Sequence, residues 1–194
     1  MNFLEERIVQ DGVIKSDNVL KVDSFLNHQI DTALVDQIGA ALYDYFRSKP
    51  ISKILTIEAS GIPVGYAVAK KFNVPLVCAR KSESVNIDGG TYLAEVPSHT
   101  DGKMNQVYIS KQVLNADDHV LIIDDLLANG NDIKGLCAIV EAADATVEGI
   151  GVAIEKGFQN GGQAIRNMGF DLKAIVTIEA MNNKTEQITF RDDE

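Results

Sequence analysis

The stretch His119-Val120-Leu121-Ile122-Ile123-Asp124-Asp125-Leu126-Leu127-Ala128-Asn129-Gly130 decides how this chain is read. The apolar, β-branched run at 120–123 predicts a strongly buried strand, and the spacing after Asn131 predicts a helix from Asp132 to about Ala143. Such a strand delivers two adjacent carboxylates and a small Ala-Asn-Gly turn to its own end. Asp124 and Asp125 leave it on opposite sides, where carboxylates can accept hydrogen bonds from the vicinal hydroxyls of a sugar or approach its bound metal. Ala128, Asn129, Gly130, Asn131 and Asp132 open the helix, whose free backbone N–H groups and positive dipole end suit a phosphate. The plainer alternative is a strand that ends in two acids, one of which caps a helix.

Outward from this segment the pattern alternates. Leu34, Ile38, Leu42 and Tyr45 recur at helical spacing over 32–48, with Asp31 placed as a cap. A buried-type strand follows at 54–57, then a turn at Glu58-Ala59-Ser60-Gly61, a helix to about Phe72 and a strand at 75–79. Downstream, strands are predicted at 107–109 and 147–154. Residues 81–104 carry glycines, acids, Ser and Thr, with weak alternation at 91–96, which predicts a hairpin excursion of the kind that often forms a lid. Alternating elements predict an α/β fold with a mainly parallel sheet, a single domain over 1–194, and ligands outside the carboxyl ends of the strands.

Of 194 residues, 45% are hydrophobic and 24% charged, which excludes a wholly disordered, collagen-like or disulfide-scaffold chain. Lys and Arg total 18 against 28 Asp and Glu, a net charge of −10, and neither end carries a basic arm, so no nucleic-acid partner is expected. Against that background Lys70-Lys71 and Arg80-Lys81 can make a local positive patch for a small anion. Cys78 and Cys137 lie in apolar runs and read as small buried hydrophobes, not as a disulfide. Residues 1–10 lack the apolar region of a secretory signal and no long apolar run offers a membrane span, so no membrane partner is expected and the default location is cytoplasmic. No Walker A loop occurs, and Gly149-Ile150-Gly151 lies inside a predicted strand, which weakens kinase and dinucleotide readings. His28, His99 and His119 have no partner at catalytic or zinc-binding spacing. His28 can line a pocket beside Asn27, and His119 reads as structural.

The strand, Asp124-Asp125, Leu126-Leu127, Ala128-Asn129-Gly130 and helix together resemble the phosphoribosyl-pyrophosphate (PRPP) signature of type I phosphoribosyltransferases. Glu58-Ala59-Ser60-Gly61-Ile62-Pro63 resembles the family's pyrophosphate loop, in which Gly61 would let the backbone approach the diphosphate. Arg80 and Lys81 sit where the family places positive charge, and 82–104 match its flexible catalytic loop. Residues 19–31 and Ile154-Glu155-Lys156-Gly157-Phe158 are similar to segments of the bacterial branch of that family that uses xanthine. The resemblance covers essentially the whole chain.

It implies the type I phosphoribosyltransferase fold, with about 1–30 and the C-terminal segment forming a small hood. It also implies transfer of the 5-phosphoribosyl group from PRPP to N9 of xanthine, Mg²⁺ bound mainly through PRPP, and a homodimer. Asp124 and Asp125 would serve the ribose, while Ser60, Gly61, Arg80, Lys81 and residues 128–132 would hold the phosphates. Leu20, Asn27, Lys156 and Phe158 would contact the purine, with Phe158 stacking on it. Lys156 offers only donors, which favours a carbonyl at C6 over adenine's amino group, and Asn27 adds both a donor and an acceptor.

Two departures from the family stand out. The phosphate turn has Asn129, Asn131 and Asp132 in place of hydroxyls, and Ala128 replaces the Asp that handles the N7 proton in hypoxanthine–guanine enzymes. The alternatives are a guanine or hypoxanthine phosphoribosyltransferase and a non-catalytic purine-responsive regulator on the same fold. Such regulators carry an added N-terminal DNA-binding domain.

Overall fold

The computed structural model describes residues 1–81, 89–97 and 104–192. Six strands form the central sheet: β3 (Lys53–Ile57), β4 (Leu76–Ala79), β7 (His119–Leu127), β8 (Thr146–Lys156), β9 (Leu172–Asn182) and β10 (Gln187–Phe190). Their order is β10-β9-β8-β7-β3-β4, all parallel except the edge strand β10. The decisive apolar run thus lies centrally in β7, buried on both faces as a parallel strand requires.

Alternation along β7 divides the core in two. Leu121 and Ile123 join one cluster with α2 (Thr32–Phe46) and α3 (Gly61–Phe72), while Val120 and Ile122 join the other with α4 (Asn131–Ala142). Helix α2 begins where the sequence predicts it, with Asp31 Oδ1 accepting from the amides of Ala33 and Leu34. Gly149 and Gly151 lie inside β8 for a packing reason. A Cβ at Gly149 would stand 2.4 Å from Phe46 Cε1, and one at Gly151 2.8 Å from Ile123 Cδ1. The glycines make room for the Phe46 ring over the sheet.

Three parts of the chain go beyond the sequence reading or differ from it. The strand expected at 107–109 is part of β6 (Met104–Ser110), which pairs antiparallel with β5 (Thr91–Pro97) in a separate two-stranded ribbon. These strands alternate exposed and buried residues, so they cover one face only, packing Val96 against Gly135 of α4. Of the lid expected over 82–104, residues 82–88 and 98–103 lie outside the described residues.

At the N-terminus, α1 (Phe3–Asp11), a ribbon of β1 (Val13–Ser16) and β2 (Val19–Lys21), and a π-helical turn at Asp23–Asn27 make up the expected hood. The C-terminal segment, expected to share in that hood, supplies strands β9 and β10 of the central sheet. The remaining helix, α5 (Gly161–Asn167), connects β8 to β9.

Phe46→Ala is expected to destabilise the fold by about 3–5 kcal/mol, because the glycines of β8 cannot fill the space the ring leaves. Urea unfolding at an unchanged m-value measures this, and a loss below about 1 kcal/mol would show that the ring does not anchor α2 on the sheet.

Candidate active site

Strand β3 pairs with β7 only as far as Leu55 opposite Ile122, whereas β7 and β8 stay paired out to Leu127 opposite Glu155. Asp124 and Asp125 therefore lie within β7 but beyond the point where β3 turns away toward α3. Each is 5% exposed, and both face a cavity of about 490 Å³ at the carboxyl ends of the strands.

The neighbours of this pair come from three elements. Asp124 Oδ1 accepts from the amide of Asp125 at 2.9 Å. The Ser60 hydroxyl donates to Asp125 Oδ1 at 2.8 Å, and Asn27, in the amide orientation that turns its nitrogen toward the carboxylate, donates to Asp125 Oδ2 at 3.0 Å. Gly61 starts α3 against the same spot: a Cβ there would stand 2.3 Å from Thr56 Oγ1 and 2.8 Å from Asp124 Oδ1. Burial, and after it the charge of Asp125, pushes the Asp124 carboxyl well above the usual carboxylate range.

The turn after β7 brings backbone amides to the cavity. Gly130 adopts a left-handed φ of 78° as it enters α4, a conformation that glycine takes without strain. Its carbonyl accepts from Lys134 N, and the amides of the first turn of α4 stand free of helical partners. One of these, Asn131 N, is taken by Asn129 Oδ1 at 3.0 Å. Asp132, whose charge opposes a phosphate, is paired across the cavity mouth with Lys81 Nζ at 3.6 Å.

The other cation, Arg80, holds Glu58 Oε2 at 2.7 Å, and the Lys81 amide donates to Glu58 Oε1 at 2.7 Å. The Arg80 guanidinium, and next the Lys81 N–H, keep the Glu58 carboxyl below its ordinary range. On the far wall Lys156 is 9% exposed and donates to the Asn18 carbonyl at 2.9 Å; its burial lowers the ammonium pKa.

Comparison with known proteins agrees with this geometry. The profile of the phosphoribosyl transferase domain matches residues 21–167. The chain belongs to the phosphoribosyltransferase family. It is 53% identical to a xanthine phosphoribosyltransferase of Bifidobacterium longum, across 98% of this chain and 100% of that one. It is 48% identical to a xanthine phosphoribosyltransferase of Lachnoclostridium phytofermentans across the full length of both.

Among solved structures, an adenine phosphoribosyltransferase of Trypanosoma brucei in complex with AMP, pyrophosphate and ribose-5-phosphate superimposes with a TM-score of 0.76. That likeness, at 19% identity, covers 90% of this chain and 79% of that one and concerns the fold. An adenine phosphoribosyltransferase of Giardia lamblia complexed with 9-deazaadenine gives 0.71 at 22% identity, covering 82% and 86%.

In this phosphoribosyltransferase the cavity brings together Asn27, Ser60, Lys81, Asp124, Asp125, Ala128, Gly130, Asn131, Asp132 and Lys156 from the expected set. Arg80 and Asn129 stand beside it through Glu58 and Asn131, and Gly61 lies behind the carboxylates. Leu20 is buried in the core behind its neighbour Val19, which does line the cavity, and Phe158 packs half-buried against the same core. His28 is exposed and outside the lining, His119 pairs with Glu148 at 2.6 Å, and His99 lies outside the described residues.

Asn18, Val19 and Gln159 line the cavity beyond the expected set, as does Glu58 of the turn at 58–61. Asn18 closes a polar Ser-Asp-Asn turn and Val19 follows it, a local signal for both. Cys137 is buried, its thiol pushed up to about 12, as a small core hydrophobe should be.

Because the folded protein holds the Asp124 proton more tightly than the unfolded chain, stability falls as pH rises from the ordinary carboxylate range through the raised value. Asp124→Asn keeps the acceptor for Asp125 N and removes the buried charge. It is expected to raise Tm at pH 8 by about 2–4 °C, the shift that about 1 kcal/mol gives a chain of this size, with a smaller gain near pH 4.5. Thermal melts at the two pH values test this; an equal difference at both would show that the charge is not the cause.

Proposed function

We propose that the protein transfers the 5-phosphoribosyl group of PRPP to N9 of xanthine, releasing diphosphate and forming xanthosine 5′-monophosphate, a purine-salvage reaction. The observation that carries this reading is one shared cavity. Its lining includes a buried carboxylate pair, the start of α4, and the side chains of Lys156 and Asn27, enough to meet the parts of one nucleotide-sized ligand. The relatives with half of their residues in common are xanthine phosphoribosyltransferases over their whole length, which favours xanthine as the base.

In this reading the amides of Gly130 and Asp132, joined by that of Asn131 once it gives up Asn129 Oδ1, hold the 5′-phosphate, with Ala128 and Asn129 shaping the turn. Asp124 and Asp125 accept hydrogen bonds from the ribose hydroxyls and stabilise the positive charge that develops at C1 as the diphosphate departs. Ser60 and Asn27 keep Asp125 fixed for that task, while Gly61 seats α3 against Asp124. Arg80 and Lys81 exchange their carboxylate partners Glu58 and Asp132 for diphosphate oxygens.

Lys156 donates to a purine oxo group, Asn27 reads the base edge, and Val19 supplies an apolar wall with Leu20 and Phe158 behind it. Among the described residues no three His, Cys, Asp or Glu side chains converge as a metal cage. Two adjacent carboxylates do suit Mg²⁺ shared with substrate phosphates, and Asp124 and Asp125 would hold it beside PRPP. When bound, the ion neutralises charge on the diphosphate leaving group. We further propose, on the family resemblance, a homodimer acting in the cytoplasm.

Initial rates with PRPP, Mg²⁺ and each of xanthine, guanine, hypoxanthine and adenine test the assignment. Xanthine is expected to turn over fastest and adenine slowest. Preference for another purine would keep the phosphate site and refute the roles given to Asn27 and Lys156, and absence of turnover with all four would favour a binding module.

A further inference from the structure

We propose that the ion pair between buried Glu155 and half-buried Arg166 is a positioning device for the phosphate-binding turn, holding α5 against the backbone of residues 128–130 and so setting affinity for the phosphoribosyl group. The proposal rests on the reading of that turn given above.

Glu155 lies near the end of β8, its backbone locked between Leu127 of β7 and Thr177 of β9, and it is 2% exposed. Arg166 on α5 meets it in a two-armed pair, Nη1 to Oε1 and Nη2 to Oε2, each 2.7 Å. This geometry fixes orientation as well as distance. Two glycines translate it into contact with the turn. A Cβ at Gly162 would stand 1.8 Å from Glu155 Oε1, so the carboxylate passes directly beneath the first turn of α5. A Cβ at Gly161 would stand 2.2 Å from the Ala128 carbonyl oxygen and 2.7 Å from Gly130 N, so the start of α5 is pressed against the turn's own backbone. Gly130 meets it from the other side, its missing Cβ lying 3.3 Å from Gly161 Cα.

Helix α5 does not hold itself in place. It spans only Gly161–Asn167, too short to be stable alone, and Asn160 gives its N-terminus no side-chain cap. Its position comes from the buried Ile165 and from the ion pair. Glu155 and Lys156 are consecutive on β8, so their side chains leave opposite faces: Glu155 goes to α5, Lys156 to the hood carbonyl of Asn18. Loosening the ion pair should therefore disturb the phosphate side of the cavity and leave the base side alone. A merely structural pair would not make that distinction.

The test uses the full chain with Arg166→Met, and with Glu155→Met/Arg166→Met, which removes the stranded carboxylate that can prevent the single variant from folding. KM for PRPP, KM for xanthine and kcat are measured with Tm, and ribose 5-phosphate binding is titrated calorimetrically without any base. Both variants are expected to weaken PRPP and ribose 5-phosphate by about tenfold, as small displacements in a preorganised site do, with KM for xanthine changed less than twofold. The double variant is expected to recover Tm but not phosphate affinity.

Three results would overturn the proposal: unchanged affinity for both phosphate ligands, equal weakening of PRPP and xanthine, or recovery of phosphate affinity along with Tm in the double variant. Ribose 5-phosphate separates this proposal from the assignment of the base. If the unmodified protein binds it without turning over xanthine, and the variants weaken it, positioning stands while the xanthine reading falls; if the unmodified protein does not bind it, both fall.

Discussion

Two adjacent carboxylates at 5% exposure, set two and three residues beyond the last β3 pairing, are the constraint around which the rest of this molecule is arranged. Burying even one such charge is costly unless it is hydrogen-bonded, and the upward push on Asp124 records that cost. The surrounding elements meet the requirement from different directions. Ser60 at the start of α3 and Asn27 in the hood bind opposite oxygens of Asp125, while the backbone itself satisfies Asp124 Oδ1. The site is consequently a junction of the N-terminal π-helical turn, the start of α3 and the central strand, and it suits a ligand that donates to carboxylate acceptors.

Around the mouth, charge is balanced within the protein. Arg80 faces Glu58 and Lys81 faces Asp132, so the cations that a diphosphate would use are already engaged with carboxylates. These pairs are solvent-accessible and individually weak. The Glu155–Arg166 pair behind the turn differs in geometry: it is two-armed, and its carboxylate is 2% exposed.

Much of this was readable from residue pattern. The apolar run before Asp124 was long and β-branched enough to mark a central strand, and Asp31 marked the start of α2 by its capping chemistry. The turn after β7 is legible because Gly130 and a helix start, which shape it, leave a trace in sequence.

Other parts left little trace. Helix α1 is signalled only by the Asn2 and Glu5 capping box, a pair easily lost among scattered apolar residues. The separation of β5 and β6 from the main sheet depends on which face finds a partner, which local alternation does not encode. Leu20 and Val19 show the same limit: whether a three-residue strand turns one side chain or its neighbour toward a cavity is set by register, and one step reverses it. Gln159 lines the cavity from the turn after β8, where its amide donates to the Lys156 carbonyl, and no motif in the sequence points to it.

The most direct test of the account is kcat/KM for PRPP in Asp125→Asn, measured together with the melting temperature. Asparagine keeps the size of the side chain and an acceptor for Ser60, so Tm should stay within a few degrees, whereas loss of the charge facing C1 should lower kcat/KM by about a hundredfold or more. An unchanged kcat/KM in a folded variant would contradict the claim that the buried carboxylate pair is the center of the chemistry.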